Sequence, residues 1–117
     1  MKKDLHERTF NFALQIVELC KKLEAKSNVS KTLSNQLLLS ATSIGINIEE
    51  GQSAQSKADY ISKYSIACQS AKETKYWLRL LKAAGLTDKE DIAFLEQENY
   101  ELVAILITMI KNAKDNE

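Results

Sequence analysis

The chain has 117 residues, 16 basic and 16 acidic side chains, no proline and three glycines. That length supports one domain around a single hydrophobic core, and the abundance of Leu, Ala, Lys, Glu and Gln with so little turn punctuation excludes strand-rich folds in favour of an all-α domain. A formal net charge of zero argues against a dedicated nucleic-acid binder, whose affinity grows with the number of phosphates it neutralises.

The N-terminus, Met-Lys-Lys-Asp-Leu-His-Glu-Arg, is charged and leads into no apolar run of signal-peptide type, and nowhere does the chain approach the roughly 18 apolar residues needed to span a bilayer. A cytoplasmic protein without membrane contact is the expectation. The first helix is predicted over residues 5–26, where Leu5, Phe12, Ile16, Leu19 and Leu23 share one face that Ala13, Val17 and Cys20 widen. The polar run Lys26-Ser27-Asn28 closes it.

A second helix is predicted over residues 31–51, capped by Ser30 or Thr32, with Gly51 suited to the left-handed position just past its end. Leu33, Leu37, Ala41, Ile44 and Ile48 form its apolar stripe, and Leu39 and Ile46 mark a second one. Between them Gln36, Ser40, Ser43, Asn47 and Glu50 stack at spacings of four, three, four and three. Burying an amide or carboxylate unpaired costs roughly 1–3 kcal/mol, so this stripe is expected to meet hydrogen-bonding groups on a neighbouring helix. Gly45 lies mid-helix, where glycine costs about 1 kcal/mol relative to alanine; close approach of a neighbouring backbone and simple tolerance both account for it.

The third helix is predicted over residues 56–84, opening at Ser56-Lys57-Ala58-Asp59 and stopping at Gly85, with Ile61, Tyr64, Cys68, Ala71, Leu78 and Leu81 inward. The fourth is predicted over residues 88–114, opened by a capping box in which Thr87 bonds the amide of Glu90. Four amphipathic helices on short loops form an antiparallel up-down-up-down four-helix bundle spanning residues 1–117.

Two stretches carry more apolar surface than one bundle core absorbs. Residues 102–110, Leu-Val-Ala-Ile-Leu-Ile-Thr-Met-Ile, are apolar almost all round, and Leu37, Leu38 and Leu39 spread over about 200° of a helix. Self-association is expected to cover them.

The zero net charge hides a dipole: residues 53–85 hold six basic and two acidic side chains, and residues 86–117 three basic and eight acidic. Lys72, Lys75, Arg79 and Lys82 fall at spacings of three, four and three near Tyr76 and Trp77, a basic stripe able to meet phosphates or an acidic surface, or simply a solvated face paired with helix four.

Catalytic machinery is hard to assemble. The only histidine is His6, which rules out the Glu-x-x-His pairs of di-iron bundles, and there is no glycine loop for phosphate and no Cys-x-x-Cys-His for haem. Cys20 and Cys68, flanked by apolar helical positions, read as small hydrophobes. Glu50 and Glu73 are the one conceivable carboxylate pair, and a bundle carboxylate with Asn and Ser neighbours is more often structural. No catalytic residue, no metal and no cofactor is expected.

Taken together, Gln36-Leu37, Ala41 and the run Ser43-Ile44-Gly45-Ile46-Asn47-Ile48-Glu49-Glu50-Gly51, followed in helix three by Ala67-Cys68-Gln69-Ser70-Ala71-Lys72-Glu73, resemble the signature of the four-helix-bundle proteins encoded within bacterial 23S rRNA intervening sequences, a family that includes accessory proteins of diversity-generating retroelements. The resemblance implies a bundle that assembles as a ring of five subunits, with nucleic-acid association in some members and no catalytic activity. Set against helix three, the stripe of Gln36, Ser43, Asn47 and Glu50 reads as an interhelix polar lock, with Ser70 and Glu73 as candidate partners. Two features depart from the pattern: no proline precedes helix two, and the neutral run Gln52-Ser53-Ala54-Gln55 stands where a basic residue is usual. Two functions stay open, an RNA-associating homo-oligomer acting through Lys72, Lys75, Arg79 and Lys82, and a scaffold that binds a nucleic-acid-processing protein without touching nucleic acid.

Overall fold

A computed structural model describes the backbone of residues 2–116 and the side chains of residues 5–116. It contains four helices, α1 (Lys2–Glu24), α2 (Asn28–Gln52), α3 (Lys57–Ala83) and α4 (Lys89–Asp115), and no strand among the described residues. A 27-residue helix spans about 40 Å, so α3 and α4 run most of the length of a body measuring 49 × 21 × 21 Å. Each helix packs on the next in chain order, and α4 returns against α1 more loosely.

The predicted apolar stripes form the core. Phe12, Ile16 and Leu23 from α1, Leu37, Ile44 and Ile48 from α2, Tyr64, Leu78 and Leu81 from α3, and Ile92, Leu102 and Leu106 from α4 are fully buried. Each such side chain contributes roughly 1.5–3 kcal/mol through burial. Ile61, predicted inward, is only partly buried.

Helix ends follow capping chemistry, at positions that differ from two of the predictions. Ser27, not Ser30 or Thr32, caps α2: its side chain accepts the Ser30 amide at 3.1 Å. Ser30 is buried instead, and its hydroxyl donates to the Leu23 carbonyl at 2.6 Å, tying the end of α1 to the start of α2. Ser56 caps α3 as predicted, accepting the Asp59 amide at 3.1 Å. The Thr87 capping box does not form. Asp88 takes the cap position without a side-chain bond, and Thr87 Oγ1 is buried with no partner, because the helix starts one residue too late for Thr87 to reach Glu90.

Gly85 ends α3 with φ 73°, and the Leu86 amide bonds the Leu81 carbonyl while the Gly85 amide bonds that of Lys82. This is a Schellman closure, which needs the left-handed conformation that glycine adopts without strain. Gly51 corrects its prediction: it lies inside α2, buried, where a Cβ would stand 2.5 Å from Tyr64 Cε1. Gly45 faces Thr9 of α1 with room for a methyl, its nearest neighbour being Thr9 Oγ1 at 3.5 Å. Close approach therefore belongs to Gly51, and tolerance to Gly45.

Charged side chains close the ring of helices. Arg8 of α1 donates to both carboxylate oxygens of Glu98, at 3.0 and 2.7 Å, and to Glu101 at 2.8 Å, while Lys22 reaches Asp91 at 3.2 Å. Hydrogen bonding to Glu98 holds the Arg8 guanidinium more firmly protonated than usual. Bonds from the Gln97 amide and then Arg8 pull the Glu101 carboxyl below its ordinary range.

Candidate functional site

Small hydroxyl residues recur every three or four positions on the facing sides of α2 and α3, which lets two helices approach and pair polar groups out of water. Ser40 and Thr74, both buried, share a hydrogen bond at 2.9 Å, and Thr74 also donates to the Ser70 carbonyl at 2.9 Å. One turn on, Ser70 donates to Ser43 Oγ at 2.9 Å, and the Asn47 amide donates to the Ser43 carbonyl and hydroxyl at 2.8 and 3.0 Å. Each hydroxyl also has a helical carbonyl or a second side chain within reach, so the ladder is satisfied throughout.

The predicted members divide. Ser43, Asn47 and Ser70 meet in the ladder, whereas Gln36 and Glu73 are exposed and make no side-chain hydrogen bond among the described residues. Glu50 is also exposed and accepts from Lys63 Nζ at 2.9 Å. Glu73 lies ten residues beyond Lys63, about 15 Å along α3, so Glu50 and Glu73 form no carboxylate pair. Thr74 was not anticipated, although its spacing of four from Ser70 places both hydroxyls on the face that meets Ser40 and Ser43. Asn99 was missed as well: it is buried in α4, its Nδ2 donates to the Ala71 carbonyl at 2.9 Å, and its Oδ1 has no partner.

Both cysteines are buried free thiols. Cys20 donates to the Ser34 carbonyl at 3.4 Å, and burial pushes its thiol up to about 11, far from the thiolate form that reacts or binds metal. Among the described residues no three His, Cys, Asp or Glu side chains gather as metal ligands would.

The basic stripe runs beside the α3/α4 seam. Lys82 pairs with Glu96 of α4 at 3.0 Å. Lys72, Lys75 and Arg79 are exposed and form no ion pair among the described residues. The fold adds two cations to them: Lys111 and Lys114 of α4 line an open cleft of about 580 Å³ together with Lys72, Cys68, Ile107 and Ile110. Nothing in the sequence couples these lysines to Lys72, because the antiparallel turn at Gly85 lies between them.

The excess apolar surface is smaller on α4 and larger elsewhere than expected. Within 102–110, Leu102 and Leu106 are core, Val103, Ile105, Met109 and Ile110 pack partly buried against it, and Ile107 is 48% exposed. On α2, Leu37 is core, Leu38 partly buried and Leu39 69% exposed. Elsewhere Phe10 and Leu14 of α1 and Leu39 and Ile46 of α2 are exposed, on two helices that approach each other where Thr9 meets Gly45.

The intervening-sequence signature thus lies along a helix whose small and polar residues meet α3. A family model described as "23S rRNA-intervening sequence protein" matches residues 1–108. The chain belongs to that family. A crystal structure from Bacteroides thetaiotaomicron VPI-5482, described as a protein with unknown function from the S23 ribosomal protein family, is similar to this chain at 38% identity over 92% of this chain and 98% of its own, with a TM-score of 0.85. No curated protein matches this member of the family.

Proposed function

We propose that the protein is a non-enzymatic, homo-oligomeric cytoplasmic module that associates with RNA through the α3/α4 face. The observation that carries this reading is the set of exposed cations Lys72, Lys75 and Arg79, which form no ion pair among the described residues, extended by Lys111 and Lys114 of α4 along one side of the molecule. A local surplus of cations gives phosphate affinity even where the whole chain is neutral, and several subunits presenting the same face would add to it. Self-association is supported by the large apolar side chains Phe10, Leu14, Leu39 and Ile46 left exposed on the neighbouring helices α1 and α2, since exposed apolar surface gathered on one face marks interfaces; a ring of five is what the family resemblance implies.

Fluorescence anisotropy with a structured RNA across a salt series tests the association. Binding that falls steeply with salt and weakens in Lys75→Glu and Arg79→Glu supports it, and no binding at low salt rejects it. Light scattering that finds a monomer at micromolar concentration rejects the oligomer.

A second reading, a scaffold for a protein partner without nucleic-acid contact, is favoured by the other side of α4. There Phe94 is 57% exposed beside Glu90 and Asp91, in a groove shared with Gln15, Glu18 and Lys22 of α1. An apolar anchor with an acidic rim fits a basic, apolar protein surface.

A further inference from the structure

Cations alone recognise the phosphates of any strand, so the character of the partner depends on what surrounds them. Two exposed aromatic rings border this stripe. Tyr76 of α3 is 54% exposed, one turn from Lys72 and one turn from Arg79. Its ring meets Trp77 edge-on, centroids 5.2 Å apart at 80°, and Trp77 is itself packed against the core, so the Tyr76 ring is braced.

Tyr100 of α4 is 67% exposed. It lies seven residues before Ile107, hence on nearly the same edge of the helix, and Ile107 lines the cleft with Lys72. Glu96, four residues earlier, pairs with Lys82. Between those two fixed points the antiparallel run sets Tyr100 level with the Tyr76–Arg79 turn of α3.

We infer that this face takes single-stranded rather than duplex RNA, with the Lys72, Lys75 and Arg79 row following one backbone and unpaired bases stacking on Tyr76 and Tyr100. The inference rests on the RNA association proposed above. A duplex is held through phosphates and 2′-hydroxyls of two strands across a groove, which calls for two separated rows of contacts. Here Lys72, Lys75 and Arg79 form one row, Lys111 and Lys114 of α4 adjoin its Lys72 end across the cleft, and carboxylates border it: Glu73, one turn from Tyr76 on the side away from α4, Glu96 beyond Lys82, and Asp115 in the cleft itself. Those acids disfavour a second phosphate backbone, whereas exposed aromatics beside a basic track suit unpaired bases, every one of which has a π-face. A tyrosine also keeps its hydroxyl in water while its ring lies bare, which allows such a face to remain exposed in the free protein.

The test uses anisotropy of the full chain at low salt with two probes, a labelled oligouridylate and the duplex it forms with oligoadenylate. The single strand is expected to bind at least about tenfold more tightly than the duplex, and Tyr76→Ala and Tyr100→Ala each to weaken single-strand binding about tenfold. Tyr76→Phe and Tyr100→Phe are expected to retain it, since stacking needs the ring. Lys75→Glu is expected to weaken both probes and flatten the salt dependence. Equal affinity for the two probes, or alanine variants that bind the single strand as well as the parent while Lys75→Glu does not, overturns the stacking inference and leaves RNA association standing. If neither the single strand nor the duplex binds, both the stacking inference and the RNA association are overturned.

Discussion

Between α2 and α3 the polar groups that meet are mostly buried neutral hydroxyls, at hydrogen-bond distances set by small side chains and by Gly51 against Tyr64, with a single exposed ion pair among the described residues, Glu50–Lys63, at the rim. Between α1 and α4 the groups that meet are charged and reach water, with Arg8 spanning Glu98 and Glu101 and Lys22 touching Asp91. The first interface depends mainly on shape and responds little to salt; the polar contacts of the second are electrostatic, screened by salt, and contribute little per pair. One side of the bundle therefore fixes which helices pair and in what register, and the other closes the ring in a way that can loosen.

Gly51→Ala presses hardest on this contrast. Its methyl would enter the Tyr64 ring, so the variant is expected to lose about 1–3 kcal/mol despite better helix propensity. Gly45→Ala, with its nearest contact at 3.5 Å, is expected to be neutral or to gain up to about 1 kcal/mol. Denaturant unfolding of both variants decides it; equal midpoints would mean that α2 and α3 are not closely fitted at Gly51.

Asn99→Leu should act in the unusual direction. The amide places one unpaired oxygen in the core, so a leucine of similar size is expected to raise stability by about 1 kcal/mol, read as a higher unfolding midpoint. Within the ladder, Ser40→Ala and Thr74→Val are each expected to cost about 1 kcal/mol, with coupling in a double-mutant cycle, because each hydroxyl left behind still has a helical carbonyl to bond. Glu50→Leu, by contrast, strands no buried partner and removes only an exposed pair with Lys63.

The smallest effect belongs to the charged seam. Arg8→Ala is expected to cost less than about 1 kcal/mol at physiological salt, and the difference from the parent should vanish at high salt. The Glu101 carboxyl is depressed in the folded state relative to its ordinary 4.5. Its contribution is therefore fully present above that value and is lost as pH falls through the lower folded-state value. Hydrogen-exchange protection, taken relative to the intrinsic rate at each pH, should fall in the first half of α4 on acidification before it does in α2 and α3.

Much of the core was readable in advance because helical periodicity is a local property: Leu37, Ala41, Ile44 and Ile48 fall on one side of any helix built from that stretch. The candidate site was readable only in part. Ser43, Asn47 and Ser70 belong to the ladder, whereas Gln36 and Glu73, sharing the same stripe logic, point to water. Periodicity places a residue on an edge within tens of degrees, and the neighbouring helix's exact position decides which side of that edge is wet. The start of α2 shows the same limit, since Ser27, Ser30 and Thr32 are all competent caps and only the path of the chain from α1 selected Ser27.

By itself the sequence determined an all-α bundle of four amphipathic helices, their approximate bounds, the stop at Gly85 and the family signature along α2. These depend on residue type and on spacings within one helix. The tertiary structure alone decided that Gly51 is a contact point, that Thr74 joins the hydroxyl ladder while Glu50 leaves it, that Lys82 is paired, and that Lys111 and Lys114 come to lie across a cleft from Lys72. The physical reason is that each of these depends on the offset between two antiparallel helices, which is set by how side chains from both of them fit together and is written in neither one.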